Sequence, residues 1–260
     1  MLKREIHYFL TAVMFYSQIR VPSWVDHSPE YLNKSRKYFP AVGWLIGGIA
    51  VLTIFLLQLF LPLTVAILLS IAATVYATGA FHEDGFADSC DAFGGGWTVE
   101  QILTIMKDSR IGAFGTIGII LLLGLKWIAL VEIGNFNLSL LLVTYLNAHV
   151  SSRFIASTFI QSHEYVQDID KSKSKPITSQ RLSLKEMVYS AFFMLTALLL
   201  FQPLFWYVLA FPIAYFAKLY LGYYFNKRIG GYTGDCLGAT QQLSEVVFYL
   251  AVLALTKLVG

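Results

Sequence analysis

Residues 63–91 read LTVAILLSIAATVYATGAFHEDGFADSCD, an apolar run that passes directly into four carboxylates, Glu83, Asp84, Asp88 and Asp91, within nine residues. A helix needs about 20 apolar residues to cross a hydrocarbon core of about 30 Å, so residues 63–82 are read as a membrane span that delivers acids to the membrane surface. Six further runs of that kind occupy residues 41–62, 113–134, 138–160, 186–202, 203–225 and 242–259, with turns expected at Pro62, at Asn135–Asn137 and at Pro203. The expectation is an all-α, polytopic membrane protein of about seven transmembrane helices, one domain over residues 1–260, whose polar loops bind metal and phosphate. Composition agrees, because 57% of the 260 residues are hydrophobic and 13% charged, against about 25% charged in soluble domains. Its 15% aromatic share suits a chain anchored at the headgroup level.

Orientation follows from the cations. With the N-terminus in the cytoplasm, Lys34, Arg36, Lys37, Lys107, Arg110, Lys171, Lys173, Lys175, Arg181, Lys185, Lys227 and Arg228 all fall on the inner side. That is the asymmetry of the positive-inside rule. The run Ile6–Ile19 is too short to span comfortably and is expected in the interface or as a half-helix; if it spans, the N-terminus moves outside. No removable signal peptide is expected, since no small-residue cleavage site follows that run. The polar segments 83–112, 161–185 and 226–241 then share the cytoplasmic face. A net charge of +3 is the ordinary loop excess and implies no nucleic-acid partner. Cys90 and Cys236 face a reducing compartment, outside any C-x2-C pair, so neither a disulfide nor a zinc site is expected.

On a helix, Asp84, Asp88 and Asp91 stand at i, i+4 and i+7 and share one face, where like charges repel. A hard divalent cation, held by carboxylates and then by substrate phosphates, is the usual compensation, and it points to Mg²⁺. Acids at a membrane surface commonly only solvate a loop. Here they begin within a residue or two of lipid depth, where an unpaired charge costs about 2–3 kcal/mol. Gly85 removes a side chain beside the first Asp, which lets a phosphate or metal approach the backbone. Gly94, Gly95 and Gly96 end the segment.

Cations and a second acid accompany this face. Lys107, Ser109 and Arg110 precede the helix at 113 and form a candidate phosphate site, beside their plain use as a positive-inside anchor. Arg153 and Lys218 lie inside apolar runs. Snorkelling accounts for such residues in general, and a guanidinium forked onto phosphate is the functional reading of Arg153. His149, one turn away, reads first as a satisfied core histidine. Residues 230–239, GGYTGDCLGA, place Thr233, Gly234 and Asp235 among glycines, suited to phosphate or to a second metal contact. Gln241, Gln242 and Glu245 follow at the start of the last helix, with Glu245 a further ligand or merely a helix-starting residue.

Together these segments resemble the cobalamin synthase family, also called adenosylcobinamide-GDP ribazoletransferases. The resemblance rests on F-H-x-D-G-x-A-D at Phe81–Asp88, M-[KR]-D-S-R-x-G at Met106–Gly112, G-G-x-T-G-D-x-x-G-A at Gly230–Ala239 and Y-F-P-x-V-G at Tyr38–Gly43. It extends over most of the chain in the expected order. The resemblance implies a Mg²⁺-dependent multi-pass enzyme of the cytoplasmic membrane that joins adenosylcobinamide-GDP to α-ribazole or α-ribazole 5′-phosphate and releases GMP, the final assembly of cobalamin. Metal on Asp84, Asp88 and Asp91 would neutralise the diphosphate, and Lys107, Arg110 and Arg153 would stabilise the leaving phosphate. Asp235 would be a second metal contact or the base. Ser109, Thr233, Gly234 and Lys218 would line the substrate site, and assembly into a homo-oligomer is compatible with such a chain. Family members often carry an apolar residue at the position of Glu83, so its role stays open.

Rival readings fit less well. A CDP-alcohol phosphotransferase requires D-x-x-D-G-x-x-A-R, and Asp88 departs from that pattern. Aromatic prenyltransferases usually show two acidic motifs in matching halves, whereas Asp235 stands alone in the second half. A transporter could line a path with Arg153 and Lys218, yet seldom needs an acidic cluster with glycines at one surface.

Overall fold

The computed structural model describes residues 2–166, 181–200 and 204–259. Lys171, Lys173, Lys175 and the turn expected at Pro203 lie outside them. Helix α1 is Leu2–Tyr16 and α2 is Pro29–Ser35, joined through a 3-10 turn to α3, Phe39–Leu57. Then come α4 (Leu63–Thr78), α5 (Phe81–Gly95), α6 (Val99–Met106), α7 (Ala113–Phe136) and α8 (Leu138–Ser162). The chain ends with α9 (Leu184–Leu200), α10 (Leu204–Ile229) and α11 (Gly234–Val259). No strand occurs among the described residues, and one isolated bridge pairs Tyr165 with Tyr232.

Each of the seven predicted runs coincides with a helix, but the count of seven spans is not confirmed. Among the described residues, four helical stretches, Pro29–Leu57, Ala113–Phe136, Phe205–Ile229 and Gly234–Leu258, are long and apolar enough to cross a membrane. The bent pair α4–α5 makes at most a fifth. Helices α4 and α9 have 16 and 17 residues, under the usual length of about 20. Helix α8 is long enough at 25 residues, but it carries Asn147, His149 and Arg153 through its middle.

Helix α8 is the hub, with most of its length buried against α3, α9, α10 and α11. Small residues let backbones close up in such bundles. At Gly43 of α3 a Cβ would stand 2.6 Å from the His149 carbonyl oxygen and 2.8 Å from the Val150 Cα, so only glycine permits this crossing. Helix α7 turns Ile117, Ile120, Leu121, Leu125 and Ile128 outward, an apolar face suited to lipid.

The sequence pattern ran the second span to residue 82. The helix instead stops at Thr78, because Gly79 (φ 65°) and Ala80 (φ 56°) are both left-handed. A left-handed alanine is uncommon. The two residues turn the axis by 90°, so α5, with four carboxylates in 15 residues, lies across the end of the bundle and outside its spanning segments. Helix α1 crosses the same end. Its Glu5 pairs with Lys37 at 2.6 Å, and its Tyr16 stacks on Phe39 at 4.0 Å, both beside the start of α3.

The polar segments gather there too. Arg228 donates to the Gly96 carbonyl at 2.7 Å, and the backbone amide of Val166 donates to the Tyr232 carbonyl at 3.0 Å.

Candidate active site

The acids meet where α5 crosses the first turns of α11. A Cβ on Gly85 would lie 3.0 Å from the Asp235 Cα, and one on Gly238 would lie 3.0 Å from the His82 carbonyl oxygen. Two glycines therefore bring the helices to backbone contact and hold Asp84 and Asp88 against Asp235. Asp84 is exposed, while Asp88 and Asp235 are half-buried. Burial first, then the charges of Asp84, Asp235 and Asp91, pushes the Asp88 carboxyl up to about 7. Burial is the larger cause, and the like charges add to it in the sense expected of a shared acidic face.

Among the described residues no three His, Cys, Asp or Glu side chains are grouped closely enough to hold a metal by themselves. The three-carboxylate cage expected at Asp84, Asp88 and Asp91 is thus not formed. The reason is the position of Asp91. Its Oδ2 accepts the Gly112 amide at 2.6 Å and its Oδ1 the Gly115 amide at 2.8 Å, so it caps the N-terminus of α7. A side chain at either glycine would overlap this carboxylate. Asp84, Asp88 and Asp235 carry the hard carboxylate oxygens that Mg²⁺ favours, but they too are not drawn together into a three-ligand site.

By capping α7, Asp91 ties the end of the loop that carries Lys107, Ser109 and Arg110 to α5. All three are exposed. Arg110 is turned back on Asp108, with Nη2 2.6 Å from Oδ2, and those bonds hold the Asp108 carboxyl down at about 2.

Other expected residues are placed elsewhere. Arg153 is 1% exposed. Its Nη1 lies 3.1 Å from His149 Nδ1 and donates to the His149 carbonyl at 2.9 Å, with the guanidinium over the Phe39 ring. One arm of the guanidinium is thus engaged inside the bundle, while its Nε is buried without a hydrogen-bond partner among the described residues. Lys218 donates to Ser162 Oγ at 2.9 Å and lies over the rings of Phe159 and Tyr215. Thr233 is buried as the cap of α11, accepting the Cys236 amide at 3.3 Å and donating to Met106 Sδ at 3.0 Å. Its hydroxyl faces the interior, leaving half-buried Gly234 and Asp235 at the mouth.

Sequence reasoning passed over Lys126. This lysine is 2% exposed and pairs with Glu245, Nζ to Oε1 2.8 Å. The available signal was a cation in the middle of the 113–134 run, which is rarely kept at bilayer depth without a partner. Glu83, left open by the sequence, is buried and accepts from Gln242 Nε2 at 2.8 Å. His149 is satisfied as expected on one ring nitrogen, with Nδ1 3.2 Å from Glu245 Oε2.

The family profile described as cobalamin-5-phosphate synthase matches residues 8–253. A protein of Shewanella frigidimarina named "Adenosylcobinamide-GDP ribazoletransferase" is 47% identical over 259 residues, covering 96% of this chain and 95% of that one. A protein of the same name from Shewanella piezotolerans is 41% identical over 252 residues, covering 96% of each chain. No solved structure matches. A profile spanning nearly the whole chain, and relatives this similar from end to end, place the protein in the cobalamin-5-phosphate synthase family.

Proposed function

We propose that the protein transfers the phosphocobinamide group of adenosylcobinamide-GDP to α-ribazole or its 5′-phosphate, yielding adenosylcobalamin or its phosphate and GMP. One observation carries the assignment of the site. Asp84 and Asp88, from the first family motif, are packed by glycine contacts against Asp235, from the last. The enzyme is a membrane transferase of the final cobalamin assembly step.

In the reaction, a ribose hydroxyl oxygen of the ribazole bonds to the cobinamide-side phosphorus. The bond from that phosphorus to the bridging oxygen breaks, and GMP leaves with the electron pair. Asp235, at the positive end of α11, would take the hydroxyl proton or serve as a second metal contact. Asp84 and Asp88 would hold Mg²⁺, with Asp235 as a further contact, and the bound ion would neutralise charge on the diphosphate. Lys107 and Arg110, on the loop held by Asp91, would stabilise charge growing on the departing phosphate. For Arg110 this requires release from Asp108. Arg153 supports the bundle beneath the site. The positive-inside rule places this mouth in the cytoplasm, at the inner membrane.

The test is direct. Purified protein in lipid nanodiscs, given Mg²⁺, adenosylcobinamide-GDP and α-ribazole, releases GMP. No GMP with either form of the ribazole removes the proposal, and EDTA-insensitive turnover removes its metal.

A further inference from the structure

Beneath the acid cluster, four helices meet in a buried polar bridge that the reaction described above does not use. Lys126 of α7 lies about 20 Å along its helix, at about 1.5 Å per residue. Its Nζ reaches Glu245 Oε1 at 2.8 Å and Gln242 Oε1 at 3.0 Å, both on α11. Gln242 Nε2 then donates to Glu83 Oε1 of α5 at 2.8 Å and to Gln241 Oε1 at 2.9 Å. Gln241 Nε2 closes the bridge by donating to Glu245 Oε2 at 2.7 Å and to Ser152 Oγ of α8 at 2.9 Å. Lys126, Glu83, Gln241, Gln242 and Glu245 are all buried.

A buried ion pair is weak evidence for a stabilising role, since well-packed apolar residues often serve as well. Direction is what it adds. An apolar seam tolerates sliding, whereas hydrogen bonds of fixed length set one axial register. Gln242 stands two turns along α11 from Asp235, at about 3.6 residues per turn, and Glu83 immediately precedes Asp84. The Gln242–Glu83 bond therefore controls the same sliding coordinate that separates Asp84 from Asp235. Gly85 and Gly238, which leave the crossing without bulky side chains, cannot fix that coordinate by interlocking.

We infer that Gln242, held by Lys126, is a positioning residue for the acid site. It sets the register of α5 on α11 and so the spacing of Asp84, Asp88 and Asp235. The kinetic part of this inference rests on the function proposed above.

Gln242→Met keeps the volume and removes both the donor and the acceptor. Tyr249→Phe is the control, because it removes a 2.9 Å bond to Glu245 Oε1 within the same network without touching α5. Both are prepared in nanodiscs and compared with the unaltered protein for steady-state kinetics, Mg²⁺ dependence and amide hydrogen exchange along α5. Gln242→Met is expected to lower kcat about thirtyfold with KM for both substrates changed less than about threefold, the pattern of a misplaced constellation. It also raises the Mg²⁺ concentration at half-rate about fivefold and speeds exchange of the α5 amides, while Tyr249→Phe does neither.

Unchanged kcat and Mg²⁺ dependence in Gln242→Met, or equal shifts in Tyr249→Phe, overturn the inference. If Gln242→Met does not accumulate folded, Gln242→Asn, one methylene short, is read by the same criteria with a kcat loss of about fivefold. If the unaltered protein makes no GMP, the functional proposal fails alone, and α5 exchange decides: rates in the glutamine variant equal to the unaltered protein's overturn the register role.

Discussion

Gly85→Ala probes the crossing of α5 and α11 with a single methyl group. Its Cβ would lie 3.0 Å from the Asp235 Cα and 3.1 Å from the Asp235 carbonyl oxygen. Ordinary carbon contacts lie at about 3.5–4.0 Å, and the obstructing atoms are backbone, which cannot rotate away. The helices must therefore separate by about half an ångström. Overpacking of this kind costs about 1–3 kcal/mol, while replacing a mid-helix glycine by alanine returns about 0.5–1 kcal/mol. The net expectation is a loss of up to about 2.5 kcal/mol. The displacement falls on Asp235 itself, and since a misplacement of about 1 Å can cost about a hundredfold in rate, half of it should cost about tenfold.

Gly48→Ala is the matched control, because nothing lies within 4 Å of a Cβ there. It should be neutral or slightly stabilising. The assay is GMP release by chromatography, alongside thermal unfolding in nanodiscs. Equal turnover by Gly85→Ala and Gly48→Ala would refute the claim that activity depends on the close approach of α5 to α11 at this glycine.

Asp84→Asn and Asp235→Asn should each lower turnover about a hundredfold or more, and near-normal rates would take the residue out of the mechanism. Asp91→Asn keeps one acceptor for two amides, so it should weaken the cap of α7 by about 1–3 kcal/mol. The readout is a raised KM for adenosylcobinamide-GDP with little change in Mg²⁺ requirement; a metal-ligand pattern like that of Asp84→Asn would return Asp91 to the ligand set. EDTA should stop GMP release and added Mg²⁺ restore it. A membrane-impermeant thiol reagent should label Lys107→Cys in inverted but not right-side-out vesicles, and the opposite result would place the mouth outside the cytoplasm.

Much of the site was legible as pattern. Asp84, Asp88 and Asp91 were predicted to share a helical face, and α5 does form as a helix over them. The glycine-flanked Thr233–Asp235 segment was legible as a companion, because glycine there signals close approach. The separate fates of these residues were not. Asp91 turns to the amides of Gly112 and Gly115, Thr233 to the interior, and Arg153 to His149. Each choice depends on a neighbour distant in sequence, which spacing along the chain does not encode. Lys126 was overlooked because its partner Glu245 lies more than a hundred residues away.

The order of apolar runs, the placement of cations between them and the four motifs were determined by the sequence alone, because hydropathy and helical period are local properties. They established a helical membrane protein with its acids at one surface. Tertiary structure decided that α4 breaks at two left-handed residues to lay α5 across the bundle end. It also decided which carboxylates face one another and which are engaged by backbone amides. The physical reason is that a charge near lipid settles where hydrogen-bond partners are available, and the fold supplies those partners from elsewhere in the chain.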